Sequence, residues 1–374
     1  MDRYLKAALL KDLSKKIVII TGPRQVGKTT LSKALLRDFD YYNYDNPQDR
    51  KRIHQSDVDF SYRPLILDEL HKMRQWKRWL KGHFDTRTAI HPILVTGSAR
   101  IDTYKKVGDS LAGRYYQFRL LPLDVKELVE VSHAEPQKAL ESIFQLSGFP
   151  EPLLSNDVRE YRRWRSSHLD IILRQDLLES GSIKSIRSIE LLVELMAERV
   201  GSLISYNSLR EDLGTDDKTV KRWFDELENS YVFFRVTPYS KKINRAVSKA
   251  PKYYFFDIPR VVNEGARFEN LVALSIYKEI LYRKDVLGED YSLHFLRNKN
   301  QNEVDFLICH EKRPLMMVEV KLSDKNLENS FHIFEKGLGV IPKIILVKNL
   351  DRNFTLKTGI QVLQASRWLE KMDF

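Results

Sequence analysis

Cysteine is nearly absent from the 374 residues. Cys309 stands alone, which excludes an intrachain disulfide framework and any cysteine-based zinc cluster. No apolar run approaches the ~20 residues that a membrane-spanning helix needs, so no membrane partner is expected. No Gly/Ser-rich or Pro-rich tract marks a disordered linker, and no repeat of fixed period is visible. The opening MDRYLKAALLKDLSKK has an early acid and scattered charges, unlike a signal peptide, and a soluble cytoplasmic protein is the expectation. Hydrophobic residues make up 43% of the chain, ample for globular folding, and the length suggests two or three domains, since one core rarely grows past ~250–300 residues. The net charge of +11 is compatible with a nucleic-acid partner and equally with a well-solvated surface.

The chain is organised around IVIITGPRQVGKTTLSKAL, residues 17–35. Four β-branched residues, Ile17 to Ile20, read as a buried strand. They run into Gly22-Pro23-Arg24-Gln25-Val26-Gly27-Lys28-Thr29, a G-x-x-x-x-G-K-[ST] pattern, followed by Thr30 and a helix with Leu31, Ala34 and Leu35 on one face. Gly22 and Gly27 let the backbone turn its N–H groups toward phosphate oxygens, and the helix start adds its positive end. Lys28 supplies a point charge for the β- and γ-phosphates, and the Thr29 hydroxyl is placed to ligate Mg2+. A nucleoside triphosphate is the expected ligand.

A second apolar run, Pro64-Leu-Ile-Leu67, ends in Asp68-Glu69, the form of a Walker B segment. Asp68 would hold the Mg2+ shell, and Glu69 would polarise the attacking water. A third strand, 92–96, ends in Thr96-Gly97-Ser98, where Thr96 and Ser98 are candidates for sensing a γ-phosphate. Asp45 reads as structural. Arg114, with Arg100 second, is a candidate charge-neutralising arginine, acting in cis or from a neighbouring copy.

GPRQVGKTT, LILDE, LVTGSAR and DSLAGRYYQFRLLPL, with Ser147-Gly-Phe-Pro-Glu151-Pro, resemble the bacterial and archaeal AAA-type ATPases that join an ATPase core to a C-terminal restriction-endonuclease-like domain. The resemblance covers nearly the whole chain and implies an α/β architecture. Residues 1–130 are expected to form a P-loop NTPase (AAA-type) domain and 131–187 a helical connector. Residues 188–256 are expected to form a winged helix-turn-helix, and 257–374 a small nuclease-like α/β domain.

In the connector, Tyr161, Trp164, Leu169, Ile172 and Leu173 have the spacing of buried helical positions, and Asp176 reads as structural. Beyond it, Ser205–Leu213 reads as a short helix, Gly214 as a turn, and Thr215 or Asp216 as the cap of a helix over 216–229. Val220, Trp223, Phe224 and Leu227 form its core face. Lys218, Lys221 and Arg222 lie elsewhere on it, and Lys241, Lys242, Arg245 and Lys249 make a basic loop. DNA is the expected partner, although Asp225, Glu226 and Glu228 would repel phosphate; the bland alternative is a packing or dimerisation module.

Toward the C-terminus, a helix from residue 265 carries Glu269. Strands are expected at 294–297, at 303–308 and at 316–321. Period-two geometry puts Glu319 and Lys321 on one strand face. A hairpin symmetric about Lys312 sets Asp305 opposite Glu319. The Glu269…Asp305…Glu319-x-Lys321 set resembles a PD-(D/E)xK nuclease site, in which the acids hold Mg2+ and Lys321 positions or activates water. The reading is an ATP- and Mg2+-dependent ATPase coupling nucleotide state to DNA engagement. Two alternatives are a nucleotide-gated Mg2+-dependent nuclease and a non-nucleolytic switch or scaffold. A homo-oligomer is compatible with either.

Overall fold

The computed structural model describes residues 2–60, 62–86, 91–98, 111–178, 186–240, 250–372 and 374. The chain divides into two compact units, Met1–Leu121 with Asn229–Tyr231, and Pro122–Glu228 with Val232–Phe374. By packing, the first unit runs to Leu121. Leu123 N–H donates to Gly148 O at 2.7 Å, and the helix Val125–Ser132 packs on the helix Pro136–Leu146, so residues 122–130 belong to the second unit. Among the described residues, no helix is long and apolar enough to cross a membrane.

The first unit is built on a parallel sheet of β1 (Ile17–Thr21), β2 (Asp40–Asn43), β3 (Leu65–Asp68), β4 (Ile93–Gly97) and β5 (Tyr115–Arg119), in the order β2-β3-β4-β1-β5. β1, β3 and β4 are buried along their whole lengths, which is why they read as continuous apolar runs. Parallel order aligns the carboxyl ends of β1, β4 and β3, and β4 lies between the other two. The helix Lys6–Leu13 buries Leu9 and Leu13. The helix Lys28–Leu35 buries Leu31, Ser32 and Leu35; Ala34, expected on that face, is exposed.

In the second unit, β6 (Phe233–Pro238), β7 (Lys252–Phe255), β8 (Tyr291–Arg297), β9 (Glu303–His310), β10 (Arg313–Ser323), β11 (Lys343–Asn349), β12 (Phe354–Thr355) and β13 (Gln361–Gln364) form one mixed sheet. Its order is β12-β13-β11-β10-β9-β8-β6-β7. The β6–β7 hairpin joins the C-terminal strands through parallel pairing of β6 with β8, so strands on both sides of residue 256 share one sheet. Before it come the helices Ile186–Glu198, Tyr206–Leu213 and Asp217–Asn229. The hairpin core is aromatic: Phe233 and Tyr253 lie 5.1 Å apart by centroid, and Phe224 lies 4.6 Å from Tyr253. In the connector, Tyr161, Trp164, Ile172 and Leu173 are buried as expected; Leu169 is only partly so, and His168 takes the buried position, stacked on Trp164.

Candidate functional site

The turn after β1 has the backbone that its glycines permit. Gly22 has φ 150° and Gly27 φ 96°, and a Cβ on Gly22 would lie 2.0 Å from Leu120 O. Gly27 caps the helix Lys28–Leu35 without a side chain, leaving the first N–H groups of that helix facing the loop. Lys28 is buried, and its ammonium donates to Gly22 O at 2.9 Å and Pro23 O at 2.7 Å, curled across the loop it belongs to. Arg24 is half-buried, Val26 buried, and Gln25 and Thr30 exposed.

Thr29, Asp68, Glu69, Thr96 and Ser98 come together at the carboxyl ends of β1, β3 and β4. The Thr29 hydroxyl donates to Asp68 Oδ2 at 2.8 Å, and the Thr96 hydroxyl donates to Asp68 Oδ1. Glu69 N–H reaches Thr96 Oγ1 at 3.4 Å, and Ser98 Oγ donates to Glu69 Oε2 at 3.3 Å. Glu69 has φ 54°, a left-handed conformation that turns the chain sharply out of β3. Burial raises its carboxyl above the usual range, with Lys28 the largest opposing influence. Thr29 with Asp68 has the oxygen chemistry of an Mg2+ shell, and the residues fit that ion. Asp45 instead pairs with Lys72 at 2.6 Å on the surface.

Two neighbours escaped the sequence. Tyr41 OH donates to Asp68 Oδ2 at 2.7 Å, and His71 Nδ1 lies 3.5 Å from Glu69 Oε2. Only the strand order, which sets β2 beside β3, reveals the first.

Arg114 is not brought to this edge. It precedes β5, its carbonyl accepts from Ile17 N–H, and its guanidinium grips Asp85 at 2.7 and 3.0 Å. That is the amino end of a sheet whose phosphate edge lies about 17 Å away along five residues. Arg114, a candidate to act in cis or from a neighbouring copy, is thus paired with Asp85 in its own chain. Arg100, the second candidate, lies outside the described residues, as do Lys241, Lys242, Arg245 and Lys249.

In the second unit, Met316, Met317 and Val318 pair with Ile308, Leu307 and Phe306, the register of a hairpin symmetric about Lys312. Nearer the turn the register slips by one residue, where Glu311 and Lys312 both take positive φ. Asp305 Oδ2 accepts Val320 N–H at 2.8 Å, and Lys321 Nζ lies 3.0 Å from Glu319 Oε1, as same-face placement requires. Among the described residues, the buried Glu319 Oε2 has no hydrogen-bond partner. Burial, then the charges of Glu269 and Glu319, hold the Asp305 carboxyl well above its ordinary range; burial also raises Glu319, against Lys321. β10 also lines an 810 Å³ cavity with Glu319 and Lys321 at its wall.

Glu269, the third expected metal ligand, is held by two other donors. Its Oε1 accepts from Tyr254 OH at 2.6 Å and from Lys252 Nζ at 3.2 Å. Among the described residues, no three His, Cys, Asp or Glu side chains are grouped to hold a metal ion. Asp305 and Glu319 lie together, with Lys321 beside them.

On the helix Asp217–Asn229, Val220, Trp223, Phe224 and Leu227 are buried and Lys218, Lys221 and Arg222 exposed. Asp216 is the cap, accepting Lys218 and Thr219 N–H at 2.9 and 3.0 Å. Two of the acids are occupied: Arg235 pairs with Asp225 at 3.2 Å and with Glu228 at 2.5 Å.

Residues 14–129 match the model of an AAA domain family, so this part of the chain is an AAA-type P-loop domain. Residues 137–259 and 264–368 each match a domain family of unknown function. An uncharacterized protein of Methanocaldococcus jannaschii is 25% identical over 367 residues, spanning 88% of this chain and 80% of that one. One from Haemophilus influenzae is 22% identical over 409 residues, spanning 98% of both chains. Among solved structures, Thermotoga maritima RuvB aligns over 62% of this chain and 86% of its own, with 18% identity and a TM-score of 0.33.

Proposed function

We propose that the chain is an Mg2+-dependent ATPase that couples nucleotide state to DNA engagement. The observation that carries the ATPase reading is the meeting of Thr29, Asp68, Glu69 and Ser98 beside the Lys28 loop, all on one edge of the first sheet. Bound Mg2+ would neutralise phosphate charge, held by Thr29 and Asp68. Lys28 leaves the two loop carbonyls for the phosphate oxygens, and the loop N–H groups orient the chain of phosphates. Glu69, buried and bonded by Ser98, accepts the proton of the attacking water. DNA engagement is supported by the exposed Lys218, Lys221 and Arg222 on a helix whose opposing acids are partly tied to Arg235.

Glu69→Gln should bind ATP as wild type does and lose roughly 10²–10⁴-fold in turnover. Lys28→Ala should lose binding itself, by ~2–5 kcal/mol for a buried charge pair. ATP titration with single-turnover hydrolysis separates the two, and normal turnover by Lys28→Ala would sink the assignment.

A second reading, a Mg2+-dependent nuclease in the second unit, is favoured by Glu319, whose Oε2 has no partner among the described residues while Lys321 pairs with its Oε1. Plasmid DNA with Mg2+, with and without ATP, tests it. Cleavage by wild type and none by Asp305→Ala is the expected result; equal cleavage by both would reject it.

A further inference from the structure

The helix Glu264–Tyr282 and the hairpin β9–β10 bring four carboxylates, Glu269, Glu303, Asp305 and Glu319, into one partly dry cluster. Uncompensated carboxylates at such a place are strongly unfavourable, so the cluster must take up protons or hold cations, bound or built in. Among the described residues, three are built in. Lys321 serves Glu319, and Arg297 NH1 lies 2.7 Å from Glu303 Oε2. The third is Lys252 at the start of β7, whose side chain is only 1% exposed. Its ammonium lies 3.2 Å from Glu269 Oε1 and 2.5 Å from Glu303 Oε1, bridging the helix to β9, and sits 5.5 Å from the Phe295 ring centroid.

Glu269 is fixed from further sides. Tyr254 OH donates to the same oxygen that Lys252 approaches, and its other oxygen lies against Gly201, where a Cβ would come within 2.8 Å. The carboxylate is thereby committed to Lys252 and Tyr254. A resident lysine and a divalent ion are alternative ways to balance the same acids.

We propose that Lys252 is the resident cation of this cluster: it takes the place a metal ion would hold between Glu269 and Glu303, and confines divalent-ion binding to Asp305 and Glu319. The assignment concerns the occupant of the cluster and stands apart from the cleavage reading above, which can fail without touching it. It makes Lys252 a positioning residue that selects against a divalent ion at Glu269, while the unpartnered Glu319 Oε2 leaves the Asp305 side receptive.

The experiment is a Mn2+ titration of the full, nucleotide-free chain, with melting temperature as a second readout. Lys252→Met should bind Mn2+ about tenfold or more tightly than wild type, because the acids regain a need for a cation. Its melting temperature should rise with Mn2+ more than that of wild type, and adding Glu303→Gln should abolish the gain. Lys252→Met that folds and binds Mn2+ no better than wild type would overturn the proposal. Glu269→Gln in the wild-type background decides the case where Lys252→Met does not fold. Unchanged Mn2+ affinity supports a lysine-held Glu269, and weakened affinity overturns it.

Discussion

Arg3 is 6% exposed, and its guanidinium donates to Val26 O at 2.8 Å and Leu121 O at 2.5 Å. Val26 belongs to the phosphate loop, so a residue outside the motif holds the motif's backbone. Arg3→Ala would leave two buried carbonyls short of a charged donor, and such bonds are worth ~1.5–3 kcal/mol each. We expect a lower denaturation midpoint together with weaker ATP binding, and only partial recovery in Arg3→Lys, which lacks the planar fork. Equal midpoints and equal ATP affinity would show that the loop holds itself. The loop was legible in the sequence because its chemistry is local: a strand, two glycines, a lysine and a hydroxyl in consecutive positions. Arg3, Tyr41 and Lys252 were not, because each meets its partners only through tertiary folding. An isolated arginine, tyrosine or lysine carries no periodic or spacing signal to mark it.

At the scale of elements, the joint between β6 and β8 is short, with Thr237 paired to His294 and Pro238 to Phe295. His294 Nδ1 lies 3.3 Å from both Thr237 O and Thr237 Oγ1, and Nε2 lies 3.1 Å from Ser292 Oγ. Burial lowers the imidazole pKa below the ordinary histidine value, against the backbone bond to Thr237. The folded chain therefore binds this proton less readily than the unfolded chain. Stability should be full above pH ~6.5 and fall as the pH drops through that value toward the lower folded one, by at most ~1.4 kcal/mol per pH unit. Denaturant midpoints from pH 7.5 to 5 check this, and His294→Gln should flatten the slope; an unchanged slope would place the proton elsewhere. The hairpin register about Lys312 could be read beforehand, because two apolar runs and one turn constrain it. The β6–β8 pairing could not. Parallel pairing between distant strands leaves no turn to read.

The whole molecule carries 62 Lys and Arg against 51 Asp and Glu, an excess too diffuse to name a partner by itself. Its distribution is more telling. On the helix Asp217–Asn229 the basic residues are exposed, while Asp225 and Glu228 spend their charge on Arg235. Pairing of that kind removes much of the repulsion that the acids would offer to phosphate, so the helix presents a more basic face than its composition indicates. If the proposed DNA contact runs through that face, affinity must fall linearly on a logarithmic salt axis, with a slope set by the number of phosphates neutralised. The Lys218→Ala, Lys221→Ala and Arg222→Ala triple variant should weaken binding across DNA sequences alike and shrink the slope by about 3. Its fold should survive, because the three side chains are exposed and alanine favours helix. Fluorescence anisotropy with a labelled duplex across a salt series reads both quantities. A slope unchanged by the triple variant would move the contact off this helix, and binding insensitive to salt would return the segment to a packing role. In that second case the diffuse excess of positive charge reads as solvation alone.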